Sequence, residues 1–593
     1  MHTIVDGFLA SARRHADRPA VQDASRSLSY AELAGQVQHI AAGLVERLDQ
    51  PGPVAVLAPH DVRSPAALLG VLAAGRGVMP LDLDHPDSRN RLIARHAGAA
   101  AVLTTTAALG RARAMFGADA VVLEIDTLAA GAGGPPALPG PEDLAYILYT
   151  SGSTGAPKGA FQTHGPLLAD LVHSVEGFGL TSDDRPALFY PPAVAAGLRA
   201  MLGSLLAGAS AQLLTPTTLG SQGLVREIRE RGITVFRSSA TLFRHVAGAA
   251  GPGGLESLRL VALGGDRVDW ADYDTFRAAC RPEARFVSHL GATECSLYAE
   301  WIVEPGARGK GSALPVGRTV PGYRITLEDE GGAEVAAGEV GEFVIESSRV
   351  AQGYWRDAER TAQSFAPGRS PEQRRYRTGD LGRLRPDGLY DVAGRRDHQI
   401  KLRGFRIELG EIESALRACS GVKDGAVLVR RGPDGAVQSL AAYVELKPGV
   451  EGLLPRHLGS MLGQRLPSHM VPADIVVVES LPWLANFKVD RQRLQEMDGS
   501  RAGRAASGAA PDAVTAGIIQ AYEAVLGLKG VGPDDDLLGL GGDSLQAVDI
   551  ALEIQRRVGV RVSPEDMDTS CPIGELSGRL GLSQAARIVV SAE

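Results

Sequence analysis

From residue 1 to about 396, short β-branched runs such as Pro53–Leu57 and Ala120–Leu123 alternate with Ala/Leu/Arg stretches of helical character. A strand followed by a helix, repeated many times, can cover both faces of a parallel sheet, so this pattern predicts an α/β fold with mostly parallel sheets. The pattern then changes. Residues 397–495 read as a smaller α+β unit, with a helix over Gly410–Ala418 and strands over Gly425–Val429, Leu440–Leu446 and Asp474–Val478. Residues 496–512 contain DGSRAGRAASGAAP at Asp498–Pro511, which has few large apolar residues and predicts a flexible linker. Residues 513–583 predict a helical bundle, with one helix near Ala513–Leu526 and another from Ser544 to about Arg557 bearing Leu545, Val548, Ile550, Leu552 and Ile554. A chain of 593 residues exceeds what one hydrophobic core supports, in keeping with this division.

Charge narrows the possible partners. The net charge is −8, and residues 513–583 alone hold eleven acidic against five basic side chains. Nucleic acid is excluded as a partner on that basis, because phosphate backbones are bound by clustered Lys and Arg. The start of the chain lacks a continuous apolar segment and no apolar run of spanning length follows, so a soluble cytoplasmic protein without membrane contact is expected. Cys280, Cys295, Cys419 and Cys571 are far apart, without metal-ligand spacing, and predict buried thiols rather than a disulfide framework. Only seven lysines occur, so a lysine inside a motif is informative.

One such lysine closes the string that follows the strand candidate Leu144–Thr150. In Ser151-Gly152-Ser153-Thr154-Gly155-Ala156-Pro157-Lys158-Gly159, glycines admit backbone N–H groups to phosphate oxygens, the hydroxyls of Ser151, Ser153 and Thr154 add donors, and Lys158 adds a fixed positive charge. The spacing is not that of a Walker A loop, since two residues separate Gly152 from Gly155 and Gly159 follows the lysine.

With Leu28-Ser-Tyr-Ala-Glu-Leu33, Ala74–Pro80, Tyr376-Arg-Thr-Gly-Asp-Leu381, Gly394-Arg-Arg-Asp397, Lys401–Glu413 and Leu466–Pro472, this loop makes an ordered set of strings across nearly the whole chain. The set resembles the adenylate-forming superfamily of acyl-CoA ligases, luciferases and nonribosomal peptide synthetase adenylation domains. The resemblance implies an adenylation domain with a large N-terminal subdomain (1–396) and a small C-terminal one (397–495). It implies ATP held by the phosphate loop, by Asp380 on the ribose hydroxyls and by Arg395 on phosphate or ribose. Thr293 and Glu294 look like the family's Thr-Glu pair, with the Glu294 carboxylate helping to hold Mg²⁺. Lys488 resembles the lysine that bridges the substrate carboxylate and ATP, where a cation is needed between two anions. Rotation of the small subdomain about Asp397 would exchange Lys488 for the loop around Gly404, opening a path for a thiol. The chain departs from the family in having Phe487 where Gly is usual, Leu290 where an aromatic residue is common and Ala292 where Pro is common.

Asp536-Leu-Leu-Gly-Leu-Gly-Gly-Asp-Ser544-Leu545 resembles a carrier-protein attachment site, which implies 4′-phosphopantetheine on Ser544 and a phosphopantetheinyl transferase to install it. The 496–512 linker would hold that thiol at high effective concentration beside the acyl adenylate.

In amino-acid-activating relatives an Asp near the start of the helix before Leu-Leu-x-Gly-Ala pairs with the α-ammonium. Counting back from Leu205-Leu-Ala-Gly-Ala209 puts Ala195 there, and a buried ammonium without that partner would be costly, so the expected small carboxylic acid lacks a free α-amino group. The same counting places Ala196, Arg199, Arg237, Val261, Leu263, His289, Leu297 and Tyr298 around the acyl group. Two arginines and a histidine suit an extra carboxylate, a keto oxygen or another acceptor, and either Arg has the alternative of pairing with a protein carboxylate. The loaded acyl group is expected to pass in trans to a condensation, ketosynthase or tailoring enzyme, and the need for a small MbtH-like activator stays open. Three alternatives remain: an amino-acid-activating didomain with an unusual pocket, a scaffold acylated in trans, and a CoA ligase with a passive appended domain.

Overall fold

The computed structural model describes the chain apart from residues 1, 119, 129–137, 152–156, 310–312, 397–398, 403, 433–436, 451–452, 483–488, 503–511, 538–539, 541, 543, 561, 563–566, 568–570 and 581–593. It divides into two compact units, Met1–Leu214 with Glu227–Glu408, and Thr215–Arg226 with Leu409–Glu593.

The first unit is α/β, as the strand–helix alternation predicts. Among the described residues a seven-stranded sheet runs in the order Gly353–Tyr354, Lys158–Thr163, Leu144–Thr150, Val78–Leu81, Val54–Leu57, Ala101–Thr104, Val122–Glu124, and its last five strands are parallel. A nine-stranded sheet has six parallel strands at its centre, among them Val235–Ser238, Leu260–Leu263 and Arg285–Ala292, with Ser296–Val303 returning antiparallel. The helices Tyr30–Arg47, Arg63–Ala73, His164–Phe178 and Ala195–Leu206 share one core with Val54 and Val56 of the first sheet and Leu188 and Leu213 of the second. Cover on both faces is why a strand such as Val54–Leu57 is apolar at every position and wholly buried. The Leu28–Leu33 string has a local explanation. Ser29 caps Tyr30–Arg47 and Glu32 reaches back to the Ser29 N–H, a reciprocal capping box in which the cap alone contributes about 1 kcal/mol.

The second unit holds a three-stranded sheet in which Val437–Leu446 pairs antiparallel with Val422–Arg431 and parallel with Asp474–Val478. The helices Ala513–Leu526 and Ser544–Val558, with residues 573–580, close a separate core of Ile518, Tyr522, Ile550, Ile554, Ile573 and Leu576. In the same unit Asp549 accepts the Ser221 N–H at 2.9 Å and the Ser221 hydroxyl at 2.6 Å, where Gly220 has φ +63° and leaves no room for a Cβ.

Two boundaries differ from those read in the sequence. The hairpin of Gln399–Leu402 and Phe405–Glu408 groups with the first unit, beyond the boundary expected at 397. Helix Arg491–Ala502 runs into the expected linker, because Arg430 and Tyr443 both donate to the Asp498 carboxylate and tie that turn to the small sheet. All four cysteines are buried, and among the described residues no helix is long and apolar enough to cross a membrane.

Candidate active site

The hairpin of Arg285–Ala292 and Ser296–Val303 turns so tightly that a Cβ on Gly291 would stand 2.5 Å from the Ser296 carbonyl oxygen, and Ser296 itself takes φ 55°. This turn delivers Glu294 to a fully buried position. There its carboxylate accepts from the Tyr354 hydroxyl at 2.9 Å and from Arg406 Nη1 at 2.8 Å, with Lys158 Nζ 3.5 Å away. Lys158 donates to the Tyr354 hydroxyl at 3.0 Å, and Ser151 donates to the Arg406 carbonyl at 2.8 Å. The charges set one another. Burial pushes the Glu294 carboxyl up, but Arg406 and then Lys158 outweigh it and bring the group down to about 2. Burial lowers the Lys158 ammonium, Arg406 adds to the fall and Glu294 opposes it, leaving it at about 8. Both Glu294 oxygens are therefore engaged by donors, with two cations facing them. In this arrangement the carboxylate does not fit Mg²⁺ as well, since a divalent ion would have to displace Arg406.

The nucleotide-binding pair expected from Asp380 and Arg395 is brought together. The two stand directly opposite on neighbouring strands, Arg395 donates to the Asp380 carboxylate and to the Thr378 carbonyl, and Lys401 is 4.0 Å from the second Asp380 oxygen. Gly404 has φ +83°, donates its N–H to Asp266 at 2.8 Å, and would place a Cβ 3.2 Å from Ser239 and 3.3 Å from the Tyr190 hydroxyl. The left-handed backbone favours glycine there, and the tight approach adds to that preference.

The residues assigned to the acyl group fall into separate sets. Ala195 opens the helix Ala195–Leu206 and packs against the core, whereas Ala196 is exposed. Arg199, one turn on, is buried and committed: it lies 3.3 Å from Asp170, donates to the Tyr146 hydroxyl at 2.8 Å and to the Thr293 carbonyl at 3.2 Å, while Ser296 also donates to Asp170 at 2.6 Å. Arg237 is in register with Ala262, and Ala262 with Val287, so these three and His289 lie on one sheet face. Val261 and Leu263 lie on the other. They are in register with Phe236 and Phe286, and with Ser238 and Ser288. Phe236 meets Phe243 of Ala240–Ala250, and Phe286 meets Tyr273 and Phe276 of Trp270–Ala279. The sheet thus does not bring Val261 and Leu263 to the face of Arg237 and His289. Leu297 and Tyr298 join a core with Phe343 and Tyr376.

Gly152, Ser153, Thr154, Gly155, Asp397, Phe487 and Lys488 lie outside the described residues. Ser544 opens its helix, and Gly542 before it donates to the Leu537 carbonyl at 2.8 Å in a turn where a Cβ would strike the Leu537 side chain. A helix start with glycine-permitted close approach fits a phosphate ester on that serine. Sequence reasoning did not single out Tyr354, Asp170, Asp266 or Arg406. Arg406 sits within the Lys401–Glu413 string and carried a signal; the others are joined to their partners only by the fold.

Family models match in three places: "AMP-binding enzyme" over residues 8–355, "AMP-binding enzyme C-terminal domain" over 411–488 and "phosphopantetheine attachment site" over 516–580. The chain is 36% identical over 580 residues to the phosphinothricin tripeptide synthetase PhsC of Streptomyces viridochromogenes, covering 95% of this chain and 51% of that protein. It is 30% identical over 553 residues to tyrocidine synthase 1 of Brevibacillus parabrevis, covering 92% of this chain and 50% of that one. It thus spans about half the length of these curated relatives. Among solved structures, holo-PA1221, a nonribosomal peptide synthetase protein containing adenylation and carrier domains, superposes with TM-score 0.78 at 27% identity, over 97% of this chain and 96% of that one.

Proposed function

This chain belongs to the AMP-binding enzymes, as an adenylate-forming ligase with a phosphopantetheine attachment domain on the same polypeptide, and from that premise we propose that it activates a carboxylic acid as its acyl adenylate and loads it onto its own carrier at Ser544. In the first step an oxygen of the acid bonds to the α-phosphorus of ATP as the bond to the bridging β-phosphate oxygen breaks, releasing pyrophosphate. Two anions approach one another there, and a buried cation such as Lys158 lowers the cost of their approach. The magnesium expected with ATP has no open carboxylate at Glu294 in this arrangement and enters no step here. Ser544 would hold a phosphopantetheine arm whose thiol takes the acyl group: a carbon–sulfur bond forms as the acyl carbon–oxygen bond to the phosphate breaks, and AMP leaves. Lys488 as the adenylating cation, Asp397 as hinge, and Thr293, Asp380 and Arg395 as nucleotide contacts belong to the same proposal.

The acid lacks a free α-amino group. One observation carries this: the helix that would present a carboxylate to an ammonium begins with Ala195, and the carboxylate beside its next turn, Asp170, is held by Arg199 and Ser296. An ammonium buried there would go unpaired at a cost of several kcal/mol. The test is intact-protein mass after phosphopantetheinylation, with ATP and a panel of α-amino, α-keto, hydroxy, aryl and dicarboxylic acids. An acyl gain that requires ATP and disappears in Ser544→Ala is expected. Selective loading of an ordinary α-amino acid would refute the substrate reading, and an unacylated carrier under every condition would refute self-loading.

A further inference from the structure

Buried polar groups in native proteins have partners, and the exceptions call for explanation. On the sheet face described above, the partly buried Arg237 makes no hydrogen bond or ion pair with any described residue, and its guanidinium rests 5.0 Å from the ring centroid of Phe178. Both ring nitrogens of His289 are buried and without a hydrogen-bond partner. The two side chains share that face, two strands apart, and the Arg237 charge acts on His289. Burial, then Arg237, then Lys401 hold the His289 imidazole down at about 3, so it is neutral and has an N–H to give. Burial first brings the Arg237 guanidinium down to about 10 although Asp170 and Glu300 attract it; neither forms an ion pair with it, and Asp170 is already committed to Arg199 and Ser296. The arrangement is fixed by the fold. Gly264 leaves the His289 ring its space, since a Cβ there would lie 2.3 Å from Cε1.

The position points to a ligand. Arg237 is the penultimate residue of its strand, and His289 stands one residue past the last pairing between its strand and Leu260–Leu263, so both lie at the carboxyl ends of parallel strands, where open α/β sheets bind ligands. The strand that carries His289 leads directly into the turn of Thr293 and Glu294. A guanidinium offers a planar fork of donors and a neutral imidazole one more, a set that matches a carboxylate and that a methyl group would leave unsatisfied.

We propose that Arg237 and His289 receive the second carboxylate of a dicarboxylic acid, whose first carboxylate is activated at the Lys158 and Glu294 cluster; this deepens the proposed acid activation and rests on it. A keto oxygen would satisfy donors but leave the Arg237 charge without a counter-ion, so the dicarboxylic class is favoured over keto acids.

ATP–pyrophosphate exchange and thermal shift are measured with straight-chain dicarboxylic acids of four to six carbons, the monocarboxylic and keto acids of equal length, and aspartate and glutamate, on the full chain and on Arg237→Met and His289→Leu. Expected are a preference of at least tenfold in kcat/KM for the dicarboxylic over the matched monocarboxylic acid, its loss in Arg237→Met, and a dicarboxylate-dependent rise in melting temperature that Arg237→Met abolishes. The ligand-free Arg237→Met protein should melt no lower than the parent, because it loses a partly buried charge that has no ion-pair partner among the described residues. Monocarboxylic or keto acids winning in the parent, or Arg237→Met melting clearly lower, would overturn the proposal. Aspartate or glutamate outrunning the amine-free acids would keep the Arg237 site and sink the absence of an ammonium partner. If no acid supports exchange, acid activation itself has failed, and the thermal shifts still decide whether the carboxylate site exists.

Discussion

The Glu294 cluster and the Arg237 face use their cations to opposite ends. Around Glu294 the charges close on themselves: two cations, one carboxylate and two hydroxyl-bearing side chains form one interlocked group. On the Arg237 face a cation and an imidazole share one side of the sheet, two strands apart, and neither has a hydrogen-bond partner among the described residues. A closed cluster adds to stability only as a whole, because removing one member strands the rest. An open one is a stability cost that a ligand can offset.

The largest effect should come from breaking the closed cluster. Glu294→Gln leaves Lys158 and Arg406 facing each other with only the weaker pull of Glu408 to offset their charge, and should lower stability by about 3–5 kcal/mol, seen as a fall in the denaturant midpoint at unchanged m, with loss of exchange activity. An unchanged midpoint would show that the cluster is not closed in solution. Arg199→Met is nearly as severe, about 3 kcal/mol, since Asp170 keeps only the Ser296 hydroxyl. Set beside Arg237→Met, it sharpens the contrast: a buried, paired arginine and a partly buried, unpaired one should respond to one substitution in opposite directions, and a common sign in a paired melting experiment would erase the distinction. Gly404→Ala should cost about 1–2 kcal/mol for a β-carbon at φ +83°, and should slow thioester loading more than pyrophosphate exchange, as quench-flow on both half-reactions would report. The smallest effect lies in the carrier helix. Hydrogen bonding from Arg556, with Arg557 behind it, overrides burial and holds Glu553 at about 2, below the ordinary value of 4.5. The pairing therefore stabilises the helix above about pH 4.5 and is lost as pH falls toward 2, a slight loss of amide protection over Ser544–Val558 that added salt should shrink further.

What the sequence disclosed follows from where the chemistry resides. Ser151, Lys158, Glu294, Asp380 and Gly404 stand in strings whose residue types are demanded by phosphate, ribose or backbone geometry, and such strings can be read along the chain. Strand alternation likewise predicted the parallel sheets, because burial on both faces leaves its mark on every position. Parity was out of reach. Counting residues from one motif to the next placed Val261 and Leu263 with Arg237, but the pairing of Arg237 with Ala262 decides which side chains share a face, and that pairing is a property of two strands. The Arg199–Asp170 pair was equally hidden, since it joins separate helices. The extension of Arg491–Ala502 into a Gly- and Ala-rich stretch depends on Asp498 finding Arg430 and Tyr443, which no local propensity foretells.

The alternation of the three strands Val235–Ser238, Leu260–Leu263 and Arg285–Ala292 gives this protein a division of labour. Positions 237, 262, 287 and 289 share one face, the face of the proposed carboxylate site, while 236, 261, 263 and 286 share the other, where Phe236 and Phe286 pack against two helices. If the proposed site stands, substitutions at 237 and 289 would change what the enzyme accepts and leave the wedge on the opposite face untouched.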